Sequence, residues 1–341
     1  MDRRAHRLAT PLVAAVVVLV AGAAVGASLT GGADGTSQPG RSATTEAATT
    51  RANPGLGSAL RLPPPAPRAF RGTLLWNTID CSTGTLDLAT GAAATGLPVR
   101  ACSMWSATDG GALAFTDDAR PGATALRVLV RATGRSHDGP ARGGTTAVAG
   151  DGTVATCGAS KVLEQGPDGA ARTLPGCGPA YAASRLLRIA ASERRVVDDR
   201  DRTVVPAASG SIRLLAAAGD DVAVQRTGTA SGGTIEVWRT GRREAQLAMG
   251  RTGHLTDLRV ARGGGTVLVR LGGPQDWALY RTRREGVITA IGNDGLREGA
   301  FSPDGRYVAV VVAGAIVIVD ADRLAPVAAF PADAKEIAWL A

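Results

Sequence analysis

Short apolar runs broken by turn residues recur along most of the chain, and the clearest instance lies between Glu298 and Asp320. There, Tyr307 to Ala313 and Ala315 to Val319 are apolar without alternation, separated by Gly314. Runs of that length and evenness predict two β-strands covered on both faces, not strands with one wetted side. Ser302-Pro303-Asp304-Gly305 precedes them. Proline presets φ at the first inner turn position and glycine accepts positive φ, so this tetrapeptide predicts a tight turn after a preceding strand.

The same scheme repeats. Leu258-Arg259-Val260, Val267-Leu268-Val269, Trp277 to Tyr280 and Val287-Ile288-Thr289 make one unit. Leu214-Leu215, Val222 to Val224, Ile235 to Trp238 and Gln246 to Ala248 make another. Ala101 to Asp138 gives a third, while Thr145 to Leu174 and Tyr181 to Ala208 are fainter. Thr108-Asp109-Gly110, Gly150-Asp151-Gly152, Gly219-Asp220 and Gly263-Gly264-Gly265 fall where Pro303-Asp304-Gly305 falls, between first and second strands. A period near forty residues with recurring turn chemistry predicts an all-β, seven-bladed β-propeller. The two faint units leave six or eight blades as alternatives.

The ends complement each other. Glu336 to Leu340 reads as a first strand with nothing after it, and Thr73 to Trp76 with Thr85 to Leu88 read as later strands with nothing before them. Pairing them closes the ring and removes edges that would invite aggregation.

Phe301-Ser302-Pro303-Asp304-Gly305-Arg306-Tyr307-Val308-Ala309 resembles the blade motif of TolB-like and WD-repeat propellers. The resemblance covers one blade; Trp238-Arg239 departs from the Trp-Asp dipeptide. It implies the propeller fold and, by analogy with TolB-like proteins, an envelope scaffold or transport-accessory role.

Ahead of the repeats, Arg3, Arg4 and Arg7 flank an uncharged apolar stretch from Pro11 to Leu29. It is long enough to just span a bilayer, and the basic flank favours a cytoplasmic amino terminus. Residues 1–30 therefore predict a signal anchor in a transmembrane helix, or a signal peptide cut after Ala27, which would leave a secreted protein. Residues 31–68 are rich in threonine, glycine and proline and predict a disordered linker. Residues 69–341 then form the propeller domain, outside the cytoplasm and attached to the cell membrane through the amino-terminal helix.

The net charge of +8 raises the question of nucleic acid. Arginine is spread thinly, lysine beyond residue 30 occurs only at Lys161 and Lys335, and aromatics reach only 4%. Nucleic-acid readers combine basic stripes with stacking platforms, so no nucleic-acid partner is expected.

Four cysteines in an exported domain point to disulfides. Cys81 and Cys157 each follow a second strand, and Cys102 and Cys177 each lie near the start of the next blade. Second-to-third turns and blade-to-blade connections share one face of a propeller, so the register predicts Cys81–Cys102 and Cys157–Cys177. No Cys-x-x-Cys pair offers a zinc site.

The remaining chemistry is sparse. His6 lies in the basic flank, His137 in Ser-His-Asp-Gly-Pro and His254 beside Gly253; the last two read as surface-loop residues. No Gly-x-Ser-x-Gly elbow and no phosphate-cradling loop occurs. Asp198-Asp199-Arg200-Asp201-Arg202 lacks the calcium-loop spacing and reads as a solvated turn, as does Asp117-Asp118. Trp76, Trp105, Trp238, Trp277 and Trp339 fall in predicted strands and read as packing between blades. No catalytic, cofactor-binding or metal-ligating residue is assigned. The expected role is a non-catalytic binding module for an envelope protein or cell-wall component. The alternative is a propeller enzyme of the lactonase, lyase or glycosidase class with its site in the central channel.

Overall fold

A computed structural model of the chain describes residues 70–95, 99–117, 125–141, 144–229, 232–250, 255–271, 277–281, 296–312 and 314–341. The anchor, the linker, Asp118, His254 and the Val287–Thr289 run lie outside the described residues.

Seven antiparallel sheets follow one another along the chain. The first holds β1 (Thr73–Asn77), β2 (Thr83–Asp87) and β3 (Ala93–Thr95). The second is β4 (Ser103–Ser106), β5 (Ala112–Thr116), β6 (Ala125–Val130) and β7 (Arg135–Ala141). The third is β8 (Thr145–Val148), β9 (Val154–Gly158), β10 (Lys161–Gln165) and β11 (Ala171–Pro175). The fourth is β12 (Cys177–Ala182), β13 (Arg185–Ile189), β14 (Val196–Asp198) and β15 (Thr203–Val205). The fifth is β16 (Ser211–Ala218), β17 (Asp221–Thr229), β18 (Gly232–Arg239) and β19 (Arg242–Gly250). In the sixth, β20 (Leu255–Val260), β21 (Thr266–Leu271) and β22 (Trp277–Arg281) are described. The seventh is β23 (Glu298–Phe301), β24 (Tyr307–Val312), β25 (Ala315–Asp320) and β26 (Ala325–Pro331). The last strand, β27 (Glu336–Leu340), returns to the first sheet, whose order is β27-β1-β2-β3.

The protein is thus an all-β seven-bladed propeller, and the closure read from the sequence is its real closure. Thr73 pairs with Leu340 and Asn77 with Glu336 across β1 and β27. Trp339 is buried there, and its indole N–H donates to the Arg71 carbonyl at 2.9 Å. The facing edges of β1 and β27, far apart in sequence, satisfy each other instead of lying open.

Packing explains the evenly apolar runs. Val308 to Val311 and Ile316 to Val319 are wholly buried, with alternate side chains entering cores on the two sides of the seventh sheet. One core includes Leu268 and Trp277 of the sixth blade; the other includes Leu74, Trp76 and Trp339 of the first. A strand with cores on both faces has no reason to alternate.

The turn between β23 and β24 sits as predicted, with Gly305 at φ +73°. A Cβ there would collide with the Arg262 carbonyl of the preceding blade, so glycine is required twice over, for its φ and for the close approach. Strands run a-b-c-d outward from the channel in each blade. The a–b and c–d turns therefore lie on one face of the ring, and the b–c turns and blade-to-blade connections on the other. The chain enters β1 on the a–b face.

Candidate functional site

The inner strands β4, β8, β12, β16, β20, β23 and β27 surround a channel with a cavity of about 420 Å³. Its wall is mixed. Half-buried Met104, Trp105, Leu214, Leu215 and Phe301 supply apolar surface. Arg213, Arg259, Arg262 and Arg270 face Asp257, Glu298 and Glu336.

Inner strands pack closely in succession around the ring, most loosely between β20 and β23. Arg259 of β20 spans that junction. Its guanidinium lies 2.6 Å from Glu298 and 3.2 Å from Asp257, and also donates to the Gly299 carbonyl. It stacks 4.9 Å from the centre of the buried Trp277 ring. A third of the Arg259 side chain stays open to the channel, whereas Glu298 is almost enclosed. Burial pushes the Glu298 carboxyl up to about 7, Arg259 pulls the other way, and the charges of Asp257 and Glu336 add to the rise. Burial opposes the charge on Arg259, but Glu298 and Asp257 more than offset it and raise its pKa.

Glu336, next along the ring, is held by other means. Its Oε2 accepts from the Met104 amide at 2.8 Å and from Asn77 Nδ2 at 3.2 Å. Asn77 is fully buried; its Nδ2 also donates to the Ala101 carbonyl, and its Oδ1 accepts from the Glu336 amide. Lys335 Nζ lies 3.6 Å from Glu336 and donates to the Cys102 carbonyl. All three channel carboxylates are thereby engaged.

The other notable region is the face carrying the b–c turns. Both predicted disulfides form there, Cys81–Cys102 with Cα atoms 4.4 Å apart and Cys157–Cys177 with 5.4 Å. Each ties the end of a second strand to the start of the next blade, which is the register the sequence gave reason to expect. At the first, the Thr78 to Ser82 turn is tightly braced. Asp80 accepts from the Thr78 and Ser82 hydroxyls and from the Ser82 amide, and these bonds hold its carboxyl below the usual range. The Ala101 amide donates to the Cys81 carbonyl, Thr83 Oγ1 to the Val99 carbonyl, and Arg100 to the Asp80 carbonyl. On this brace sit two exposed aliphatic side chains, Ile79 at 79% and Val99 at 47%. The disulfides suit an oxidising compartment.

Two sequence-based expectations need correction. His137 is no loop residue: it lies in β7 opposite Val128, and its Nε2 is buried without a hydrogen-bond partner among the described residues. Asp198 is not solvated either, since it is fully buried while Asp201 stays exposed. Asp198 accepts from the Arg200 and Arg202 amides and from Arg202 Nε, which overcomes the upward push of burial and lowers its pKa. The buried arginines were also missed. Arg188 of β13 donates to the Pro175 and Asp198 carbonyls and to Asp201. Arg226 of β17 donates to Glu236, Arg194 and Pro206. Each reaches back to the preceding blade from a second strand, and a lone arginine inside an apolar run was the available signal. The five tryptophans occupy β1, β4, β18, β22 and β27. Among the described residues no group of three His, Cys, Asp or Glu side chains is placed to hold a metal ion, and no helix is long and apolar enough to cross a membrane.

No protein-family model matches the chain, and no curated protein matches it. Among solved structures, it is similar to a candidate 6-phosphogluconolactonase of Bacteroides fragilis at 15% identity and TM-score 0.49, covering 81% of this chain and 100% of that one. It is similar to Hsv2 of Kluyveromyces lactis at 11% identity and TM-score 0.48, covering 77% of this chain and 94% of that one. AztD of Citrobacter koseri matches at 13% identity and TM-score 0.46, covering 76% of this chain and 81% of that one. At such identities the likeness is one of fold alone.

Proposed function

We propose that the protein is a membrane-tethered, extracytoplasmic recognition platform that binds an envelope protein or cell-wall component through its disulfide-braced face. The observation that carries the reading is the Thr78 to Ser82 turn, which holds Ile79 almost fully exposed on a scaffold fixed by a disulfide and by internal hydrogen bonds. A backbone turn held in one conformation loses little freedom on docking, the usual economy of a preorganised contact. The Phe301–Ala309 motif supports a TolB-like scaffold or transport-accessory role by analogy.

The test is cross-linking of the full-length chain in cells of its source, followed by affinity purification, beside the Ile79→Asp variant. A discrete partner captured by the native chain and lost in the variant supports the reading. Equal capture by both moves the contact elsewhere.

A channel enzyme is the second reading, and Glu298 is the observation that favours it. A carboxyl titrating near 7 in a cleft suits general acid–base work at neutral pH. Turnover of lactones or glycosides that is lost in Glu298→Gln would support it.

A further inference from the structure

The channel carries arginine that the protein itself leaves unanswered. Its three carboxylates are engaged by Arg259, Asn77, Lys335 and backbone amides, as described above. Arg213 is different. It sits at a β-bulge, where the β16–β17 register shifts between Ile212 and Leu214, and bulges re-aim a side chain that regular pairing would place elsewhere. The side chain is exposed, lines the cavity, and among the described residues makes no ion pair or hydrogen bond. Arg262, beyond the end of β20, is likewise exposed on the channel wall and unpaired among the described residues. Leu214 and Leu215 follow Arg213 along β16, and Trp105 and Met104 of the second blade add apolar surface elsewhere on the same cavity.

We propose that the channel binds a small amphipathic anion, a carboxylate or phosphate ester with an apolar body, whose acidic group pairs with Arg213. A guanidinium presents a planar fork of donors matched to two oxygens, which a carboxylate and a phosphate both supply. The cavity falls at the small end of ligand-sized pockets, with apolar surface for the body and Arg213 as a charged anchor for orientation. The charges set against one another on the wall leave the arginines in excess, and a ligand anion fills that deficit. This site is separate from the braced loop face and does not rest on the partner-recognition reading; Arg213→Gln should leave partner capture unchanged.

Calorimetric titration of the full-length protein with phenylacetate, phenyl phosphate and benzyl alcohol tests the proposal. The expected result is saturable binding of one or both anions, with benzyl alcohol about tenfold weaker or absent. Arg213→Gln is expected to weaken the anions by about tenfold or more and leave benzyl alcohol unchanged, while Arg213→Lys falls between. The two anions distinguish a carboxylate site from a phosphate site. Arg213 makes no hydrogen bond or ion pair among the described residues, and a thermal melt matching the native protein confirms folding of each variant. Anions that bind no better than benzyl alcohol, or native affinity in Arg213→Gln, overturn it.

Discussion

The guanidinium of Arg226 and the carboxylate of Glu236 meet at 2.9 Å with almost no solvent on either, between the second and third strands of the fifth blade. Arg226 also donates to the Arg194 and Pro206 carbonyls of the fourth blade, and Trp238 donates to Glu236 at 3.0 Å. The pair thus joins two blades. Removing one partner strands the other charge, so Arg226→Ala is expected to cost about 3–5 kcal/mol. Replacing both, as in Arg226→Met with Glu236→Leu, should cost much less. Urea denaturation of the two variants beside the native protein separates the outcomes.

Closure of the ring depends on β27. Trp339 is 2% exposed and packs with Leu74, Trp76 and Ile316. Trp339→Ala should destabilise the fold by about 3–5 kcal/mol and open the first blade to proteolysis. Limited proteolysis with mass mapping should place early cuts near Arg71 and Lys335; an unchanged pattern would show that the blade closes without it.

The disulfides act on the chain before it folds. Each closes a loop of about twenty residues, which limits the unfolded ensemble by roughly 3 kcal/mol. Replacing Cys81 and Cys102 with serine should lower the thermal midpoint measurably. The same variant frees the Thr78 to Ser82 turn, so capture of the proposed partner should weaken while the circular dichroism of the ring persists.

Protons link the channel to stability. Glu298 titrates near 7 in the folded ring, above its unfolded value, so the folded state holds its proton more firmly. Its contribution is fully present below about pH 4.5 and is lost as pH rises through about 7, on the order of 3 kcal/mol. The groups facing it are Arg259 and Asp257 from β20, Glu336 from β27 and Lys335 beside it. Denaturation of the native protein and Glu298→Gln at several pH values isolates the effect. The difference between them should change through this window and stay flat above it. Protonation of Glu298 also adds to the positive excess of the wall, so anion binding should tighten as pH falls through 7.

The repeat was legible because each blade spells out its own turns. Asp109-Gly110, Asp151-Gly152 and Asp304-Gly305 mark the same station, and buried strands such as Val308 to Val312 leave no polar letter to confuse them. The cystine pairing followed from that register. Buried charge was harder to read, since an arginine inside a strand looks like a surface residue until its partner is known. Arg188 finds its acceptors in the Pro175 and Asp198 carbonyls and in Asp201, and Asn77 meets Glu336 across 259 positions of sequence. His137 misled for a similar reason: Gly139 and Pro140 suggest a loop, yet pairing with β6 makes the segment a strand.

Because β27 supplies the innermost strand of the blade that β1 begins, the ring stays open during synthesis until this strand has been delivered. Through that interval the exposed flank of β1 and the waiting cores around Leu74 and Trp76 need shielding by whatever accompanies the nascent chain. Both cystines, lying between residues 81 and 177, can form well before then, so a half-made chain already carries two fixed corners onto which the late blades are added.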